Sequence, residues 1–333
     1  MIIDWMRREI DLLRQDFVLW RGCIKGRGRG VGDLLAGRQT NERAEVLYYV
    51  RITLTLALAF VILYAVGGLI PVGFDWKCCF STGNLGTFFV PWMYPIVRLF
   101  NPQSIFAVTI LAMVLRMWRY HARAWRIALA LISLPTLWLL FLGNVDGLVM
   151  VGLLLLPVLG IPLVLVKPQV ASFSLLTNRR SIVATLAWIV ISIVIWGPWP
   201  LSFLGVGDAA WRATWPQDIT LYPWGALLAL PLLWWSRGDE DMLMAAGSLM
   251  TPHLFPYHFY VLMPTLGRMN VFWALLSWAV SFTPFLANYW GPAAWHFGNL
   301  LSLTVWLGLY FHRRSLQRTL LVTGELHGTV ISA

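Results

Sequence analysis

The chain has 333 residues, 59% hydrophobic and 12% charged, with 20 Trp and a formal net charge of +10. A soluble domain of this size could not solvate such a surface, and apolar runs near twenty residues, enough to cross about 30 Å of hydrocarbon, recur along it. The runs are continuous and not alternating, which argues against a membrane β-barrel; the basic residues cluster at their ends, which argues against nucleic acid as the partner of the charge.

In chain order, Ile3, Met6, Ile10, Leu13, Phe17 and Trp20 recur at three- and four-residue steps, with Arg7, Arg8, Asp11 and Arg14 between them. This predicts an amphipathic helix over 2–20, lying on the membrane surface or packed on the protein's own cytoplasmic loops. KGRGRGVG (25–32) has no preceding strand and no GK[ST], so it reads as a basic linker near anionic lipid rather than a phosphate loop. Residues 1–48 carry seven acidic residues and no leading apolar core, unlike a signal peptide. Cys23, Cys78 and Cys79 set up neither a disulfide framework nor a metal spacing.

Spans are expected at 51–71, 103–118, 127–142, 147–158, 160–177, 182–203, 221–235, 270–288 and 295–311, with a further apolar piece at 242–265. The fold class is therefore all-α: a polytopic helical membrane protein with about eight to ten membrane helices. Broken or re-entrant segments are expected near 157–168, at Pro157, Gly160 and Pro162, and near 251–256 (TPHLFP). Residues 1–48 form a cytoplasmic arm, 49–314 the membrane domain and 315–333 a cytoplasmic tail.

Lys and Arg counts set the orientation. Twenty-one fall on the side of the N-terminal arm, against Lys77, Arg98 and Arg212 on the other; Lys167 belongs to neither group. This split requires that 242–265 enter and return, and that 144–178 start outside and end inside. Both termini are then cytoplasmic. The four acidic residues between 46 and 238 (Asp75, Asp146, Asp208 and Asp218) all fall in outer loops, among aromatics that read as interfacial belts or sugar platforms.

Several of these residues could carry chemistry. Asp75, just past the first span, suits a general base acting on a hydroxyl, or a solvated helix-end cap. Asn144 and Asp146 open the helix GNVDGLVMVGLLLL as ligands, or as ordinary caps or first-turn residues. Lys167 costs on the order of 3 kcal/mol at mid-bilayer, and Pro168 beside it removes a helix hydrogen bond, so the pair marks a break that holds a cation. His253 and His258 lie five apart in a segment broken by Pro252 and Pro256, a poor spacing for a metal but suited, with Tyr257, to a phosphate or sugar hydroxyl. No nucleophile elbow, Walker loop or Rossmann glycine pattern is present and the outer side lacks a DxD pair, so no cofactor is expected beyond a loosely bound divalent cation.

These motifs resemble the C-type glycosyltransferases of family 87, which are polyprenyl-phosphate-sugar-dependent, mannosyltransferase-like enzymes. The family's Gly-Gln-x-Asn opening is similar to Gly143-Asn144-Val145-Asp146, with Asp in the last position. The Lys-Pro stands as Lys167-Pro168. The later Ser-Pro…His-Tyr segment is matched by Thr251-Pro252…Tyr257-His258, and the outer Asp by Asp75-Trp76…Tyr94-Pro95. The likeness covers about residues 50–312.

The resemblance implies an integral protein of a prokaryotic plasma membrane that transfers a hexose from a polyprenyl-phosphate donor to a lipid or glycan acceptor on the outer face, with inversion. Asp75 would be the general base. Lys167, Asn144, Asp146, His253, Tyr257 and His258 would bind substrate, Lys167 facing the donor phosphate. Proline-broken segments also suit a transporter or flippase of a lipid-linked sugar, and a membrane scaffold with no site is the third reading.

Overall fold

The computed structural model describes residues 38–81, 90–203 and 215–322, so the helix expected over 2–20, the linker at 25–32, Asp208 and Arg212 lie outside the described residues. The chain divides into two compact units at Leu58 and Ala59. In order, the helices are α1 (Arg38–Gly67), α2 (Met93–Val97), α3 (Pro102–Arg119), α4 (Ala124–Leu131), α5 (Leu134–Leu142), α6 (Asp146–Leu154), α7 (Ile161–Val164) and α8 (Pro168–Ala171). They continue with α9 (Arg179–Trp196), α10 (Ala226–Trp235), α11 (Glu240–Ser248), α12 (Val271–Val280), α13 (Ala287–Trp290) and α14 (Leu300–Val322). A π-helical turn and several 3₁₀ stretches join them, and no strand occurs among the described residues.

The protein is a helical membrane protein. Tyr49–Gly67, Arg179–Trp196 and Val271–Trp290 are long and apolar enough to cross a bilayer, and α4 with α5, bent by 53°, makes a fourth if counted as one span. Their outward faces are apolar: Val61, Ile62, Leu186, Val190, Val194 and Ile195 are all exposed. The expected eight to ten spans are thus not eight to ten long helices. The segments at 147–177 and 221–235 are built from shorter pieces, because Pro157, Pro162, Pro168 and Pro223 interrupt them. The first helix starts at Arg38, earlier than expected, and α14 carries the last span on through Val322, into the expected tail.

At the α4–α5 bend the Ala130 carbonyl accepts from Ser133 Oγ and Thr136 Oγ1 at 2.7 and 2.8 Å. Such internal satisfaction is what lets irregular backbone persist at membrane depth.

Two hairpins organise the interior. In the first, α6 runs down, the chain turns through 155–160, and α7 runs back. The arms of this hairpin touch through glycine. A Cβ on Gly160 would lie 1.9 Å from the Gly152 carbonyl oxygen, and one on Gly152 would lie 2.7 Å from the Val164 nitrogen. The return brings Lys167 back to Asp146, Nζ to Oδ2 at 3.2 Å. The bend expected between 157 and 162 is this turn.

In the second hairpin, α11 is followed by a tip at 249–255 and a twelve-residue 3₁₀ helix, Pro256–Gly267, every residue of which is buried. Arg268 closes it, binding Asp239 at 2.5 Å and Asp241 at 2.6 Å. Arg116, at the end of α3, adds bonds to Asp241 at 2.8 Å and Glu240 at 3.0 Å, and the Tyr120 hydroxyl donates to Asp241 at 2.9 Å. The segment 242–265 therefore folds back on itself, its two ends held together by these ion pairs.

The tip of the second hairpin meets the base of the first. Thr251 Oγ1 donates to the Gln169 carbonyl at 2.6 Å, and Lys167 Nζ lies 5.0 Å from the Tyr257 ring centre. From Tyr257 to Arg268 the 3₁₀ helix rises about 2 Å per residue, or about 22 Å in all. The ionic knot at Arg116 and Arg268 and the cluster at Lys167 thus lie towards opposite ends of the same buried rod.

One consequence is measurable. Gly160 has an ordinary helical φ of −79°, so Gly160→Ala tests close packing alone. The added methyl meets backbone, which cannot swing aside, and overpacking of this kind costs about 1–3 kcal/mol. A lower melting temperature in detergent is expected; a wild-type melting temperature would mean that the hairpin does not close on Gly152.

Candidate functional site

Asp75 is placed by what surrounds it. It precedes the π-helical turn Trp76–Phe80, which is anchored by the buried Trp76 and Phe80 rings. Gly73 presses on the Leu142 carbonyl, where a Cβ would come within 2.2 Å. Gly143 ends α5 with φ of 67°, a left-handed conformation that suits glycine. That turn sets Asn144 beside Asp75, its Nδ2 donating to Asp75 Oδ2 at 2.5 Å.

Neither Asn144 nor Asp146 caps α6, but Asp146 stands in its first turn, one of the places expected for it. Val145 occupies the N-cap with no side-chain bond, and Asn144 Oδ1 accepts from the Val145 amide at 2.7 Å. Asp146 instead faces Lys167. Asn144, Asp146 and Lys167 are only 2%, 3% and 6% exposed, so this ion pair and its amide neighbour sit in a low-dielectric interior. Lys167 has φ of −137° and is extended, as the residue before proline prefers, and Pro168 then opens α8.

The tip of the second hairpin completes the cluster. Lys167 lies over the Tyr257 ring, a cation–π contact, and Tyr257 brings its hydroxyl to Asn144. Tyr257 also stacks on Phe255 at 5.5 Å and meets the His258 ring edge-on at 4.5 Å. His258 is buried, and its Nδ1 accepts from the Phe255 amide at 3.1 Å. His253 Nδ1 meets Asp218 Oδ2 at 2.7 Å, with its ring 6.3 Å from that of His258.

All seven residues singled out from the sequence thus lie in one neighbourhood, though drawn from segments beginning at 75, 144, 167 and 253. Asp75 is the partly exposed acid of the group. Burial pushes its carboxyl above the ordinary value of 3.8, opposed by the nearby Lys167 charge and the Asn144 hydrogen bond. Next to Asn144 a small open cleft is lined mainly by apolar residues, among them Ile70, Val72, Phe106 and Leu139. Tyr94, matched with Asp75 in the motif comparison, lies in α2 under the Arg98 guanidinium, 4.1 Å from its ring centre.

Among the described residues no group of three His, Cys, Asp or Glu side chains is placed to hold a metal ion. Cys78 and Cys79, adjacent in the π-helical turn, are joined to each other, a link that their spacing did not suggest.

Sequence reasoning missed two sets of residues. Asp218 registers there only as an outer-loop acid, yet it holds His253. Asp239, Glu240 and Asp241 were not used at all, yet they neutralise Arg116 and Arg268. Three consecutive acids just past Arg237-Gly238, beside a segment with few charges, were the available signal. Comparison with known proteins supplies no relative: no family model, no curated protein and no solved structure matches the chain significantly.

Proposed function

We propose that the protein is a membrane glycosyltransferase that moves a hexose, mannose-like, from a polyprenyl-phosphate donor to a lipid or glycan acceptor on the outer face of a prokaryotic plasma membrane, with both termini cytoplasmic. One observation supports this above the rest: a partly exposed carboxylate, Asp75, held by Asn144, and a buried cation, Lys167, held by Asp146, are brought together at the meeting of two broken segments. The acceptor hydroxyl would give its proton to Asp75 as its oxygen attacks the anomeric carbon from the face opposite the phosphate. Lys167, oriented by Asp146, would meet the charge that develops on the departing polyprenyl phosphate. Asn144, Tyr257 and His258 would bind sugar and phosphate oxygens, and the cleft lined by Ile70 and Phe106 would take the first part of the lipid chain. No nucleic acid enters this scheme.

The test is transfer of labelled mannose from polyprenyl-phosphate mannose by the full chain in proteoliposomes. Transfer that requires the lipid-linked donor and is not supported by a nucleotide sugar is expected. A second reading has one observation in its favour: two hairpins meeting tip to base are what a transporter with a mid-membrane site would use. No transfer of any lipid-linked hexose, with flipping of the donor across the bilayer, would decide for transport.

A further inference from the structure

Where α10 ends against α14, three guanidinium groups gather on one surface. Trp306 of α14 packs on Trp235 of α10, ring centres 6.4 Å apart, and its Nε1 donates to Ser236 Oγ at 2.8 Å. Tyr310 stacks on Trp306 at 5.2 Å. Arg313 Nη1 then donates to the Trp235 and Arg237 carbonyls, each at 3.4 Å. Arg237 lies over the Trp234 ring, 3.1 Å from its centre, and Arg314 over the Tyr310 ring at 5.0 Å. All three arginines are exposed.

Their charge is not used up within the fold. Asp239, Glu240 and Asp241, the acids nearest to Arg237 in sequence, are bound by Arg268 and Arg116. Among the described residues no carboxylate forms an ion pair with Arg237, Arg313 or Arg314. His312, beside Arg313, is reached by the Arg268 and Asp239 charges, so this surface lies at the end of the molecule that holds the ionic knot. The basic-residue count assigns that end to the cytoplasm. Before the arginines in each helix the outward residues are apolar: Leu227, Leu230 and Trp234 in α10, Leu307 and Phe311 in α14. A guanidinium held against a ring keeps its N–H edge for planar bonding to a phosphate.

We propose that the α10–α14 surface is a binding site for an anionic phospholipid. Arg237 and Arg313 take its phosphate oxygens, Arg314 adds a third positive charge, and the acyl chains lie along the apolar sides of α10 and α14. The three cations select a headgroup of net negative charge, because a choline or ethanolamine would bring a further cation among them. The site is independent of the transferase reading. It requires only that the protein sits in a bilayer, and it stands at the other end of the buried rod from Lys167.

Native mass spectrometry of the full chain, taken from nanodiscs of equal phosphatidylglycerol and phosphatidylcholine, tests the site. The wild type is expected to retain phosphatidylglycerol in preference to phosphatidylcholine. Replacing Arg237, Arg313 and Arg314 together by Gln is expected to abolish the preference, with affinity for phosphatidylglycerol falling by about fivefold for each arginine lost. Arg51→Gln, Arg119→Gln and Arg123→Gln together remove the same charge elsewhere and are expected to leave the preference as in wild type. The single Arg237→Gln removes a side chain that touches the Trp234 ring and no backbone carbonyl, and its own fall of about fivefold keeps the test open if the triple variant folds poorly. Free glycerol phosphate, which carries the headgroup without the chains, is expected not to displace the lipid. Equal retention of the two lipids by wild type would overturn the proposal. So would equal losses in the two triple variants, which would leave only diffuse charge, or displacement by glycerol phosphate, which would leave a site for soluble phosphate.

Discussion

Asp75→Asn is expected to reduce transfer by about 10²- to 10⁴-fold, the range attributed to a positioned general base, while leaving the fold in place. The fold should survive because the replacement keeps an oxygen for the Asn144 Nδ2 donor, the contact that ties the first outer loop to the start of α6. What is lost is the capacity to accept a proton. The pH dependence sharpens the expectation. Burial raises the Asp75 carboxyl above 3.8, so the ionised, working form is lost on acidification at a higher pH than for an exposed aspartate. The acid limb of kcat/KM should therefore lie above the usual carboxylate range in wild type. Stability moves the opposite way. A buried acid with a raised folded-state value favours the folded chain when protonated, and that contribution fades as pH rises through the folded-state value. Activity rising while thermal stability declines over the same interval would mark one group responsible for both. Equal turnover by Asp75→Asn and wild type would remove Asp75 as the base.

The parts of the fold legible in the sequence were those forced by the bilayer. Lys167 could not be assigned to either side by counting cations, and Pro157, Gly160 and Pro162 stood just before it. Together they required a turn, and the turn is there, at 155–160. The same counting required that 242–265 return to its starting side, and Arg268 binds Asp239 and Asp241 across that return. The illegible parts depend on contacts between distant positions. Arg116 reaches Glu240 and Asp241 over separations of 124 and 125 residues, which no periodicity encodes. Gly152 and Gly160 look like ordinary small residues in an apolar run, and only the closed hairpin reveals that neither has room for a methyl group. The length of each helix is illegible for a related reason. Hydropathy records that a segment is apolar, but a segment buried against other protein need not be one straight helix long enough to span lipid. The 3₁₀ rod at 256–267 is such a segment, wholly buried and carrying Pro264 within it. Asp218 escaped notice because its partner, His253, lies 35 residues away and invited comparison only with His258.

The Asp146–Lys167 pair separates structural from catalytic demand, and its variants are expected to show the second of the two largest effects. Asp146→Ala leaves the Lys167 ammonium in the interior without the carboxylate 3.2 Å away that closes the first hairpin. Breaking a buried pair from one side costs about 3–5 kcal/mol, because a desolvated charge is left uncompensated. A marked fall in melting temperature and in folded yield is expected, with loss of transfer. The double replacement Asp146→Leu with Lys167→Met removes both charges at once. Its stability should return to the wild-type level or above, since apolar substitutes for buried pairs are often neutral or better by about 1–4 kcal/mol. Transfer should not return with it, because no cation then faces the phosphate. The contrast decides what the pair is for. If the double variant were stable and active, Lys167 would serve only to clip α6 to α8, and the phosphate would have to be met without it. If it were stable and inactive, with donor binding lost along with turnover, the charge retained at the break would owe its place to the ligand and not to the fold, since the fold would have been shown to do as well without it.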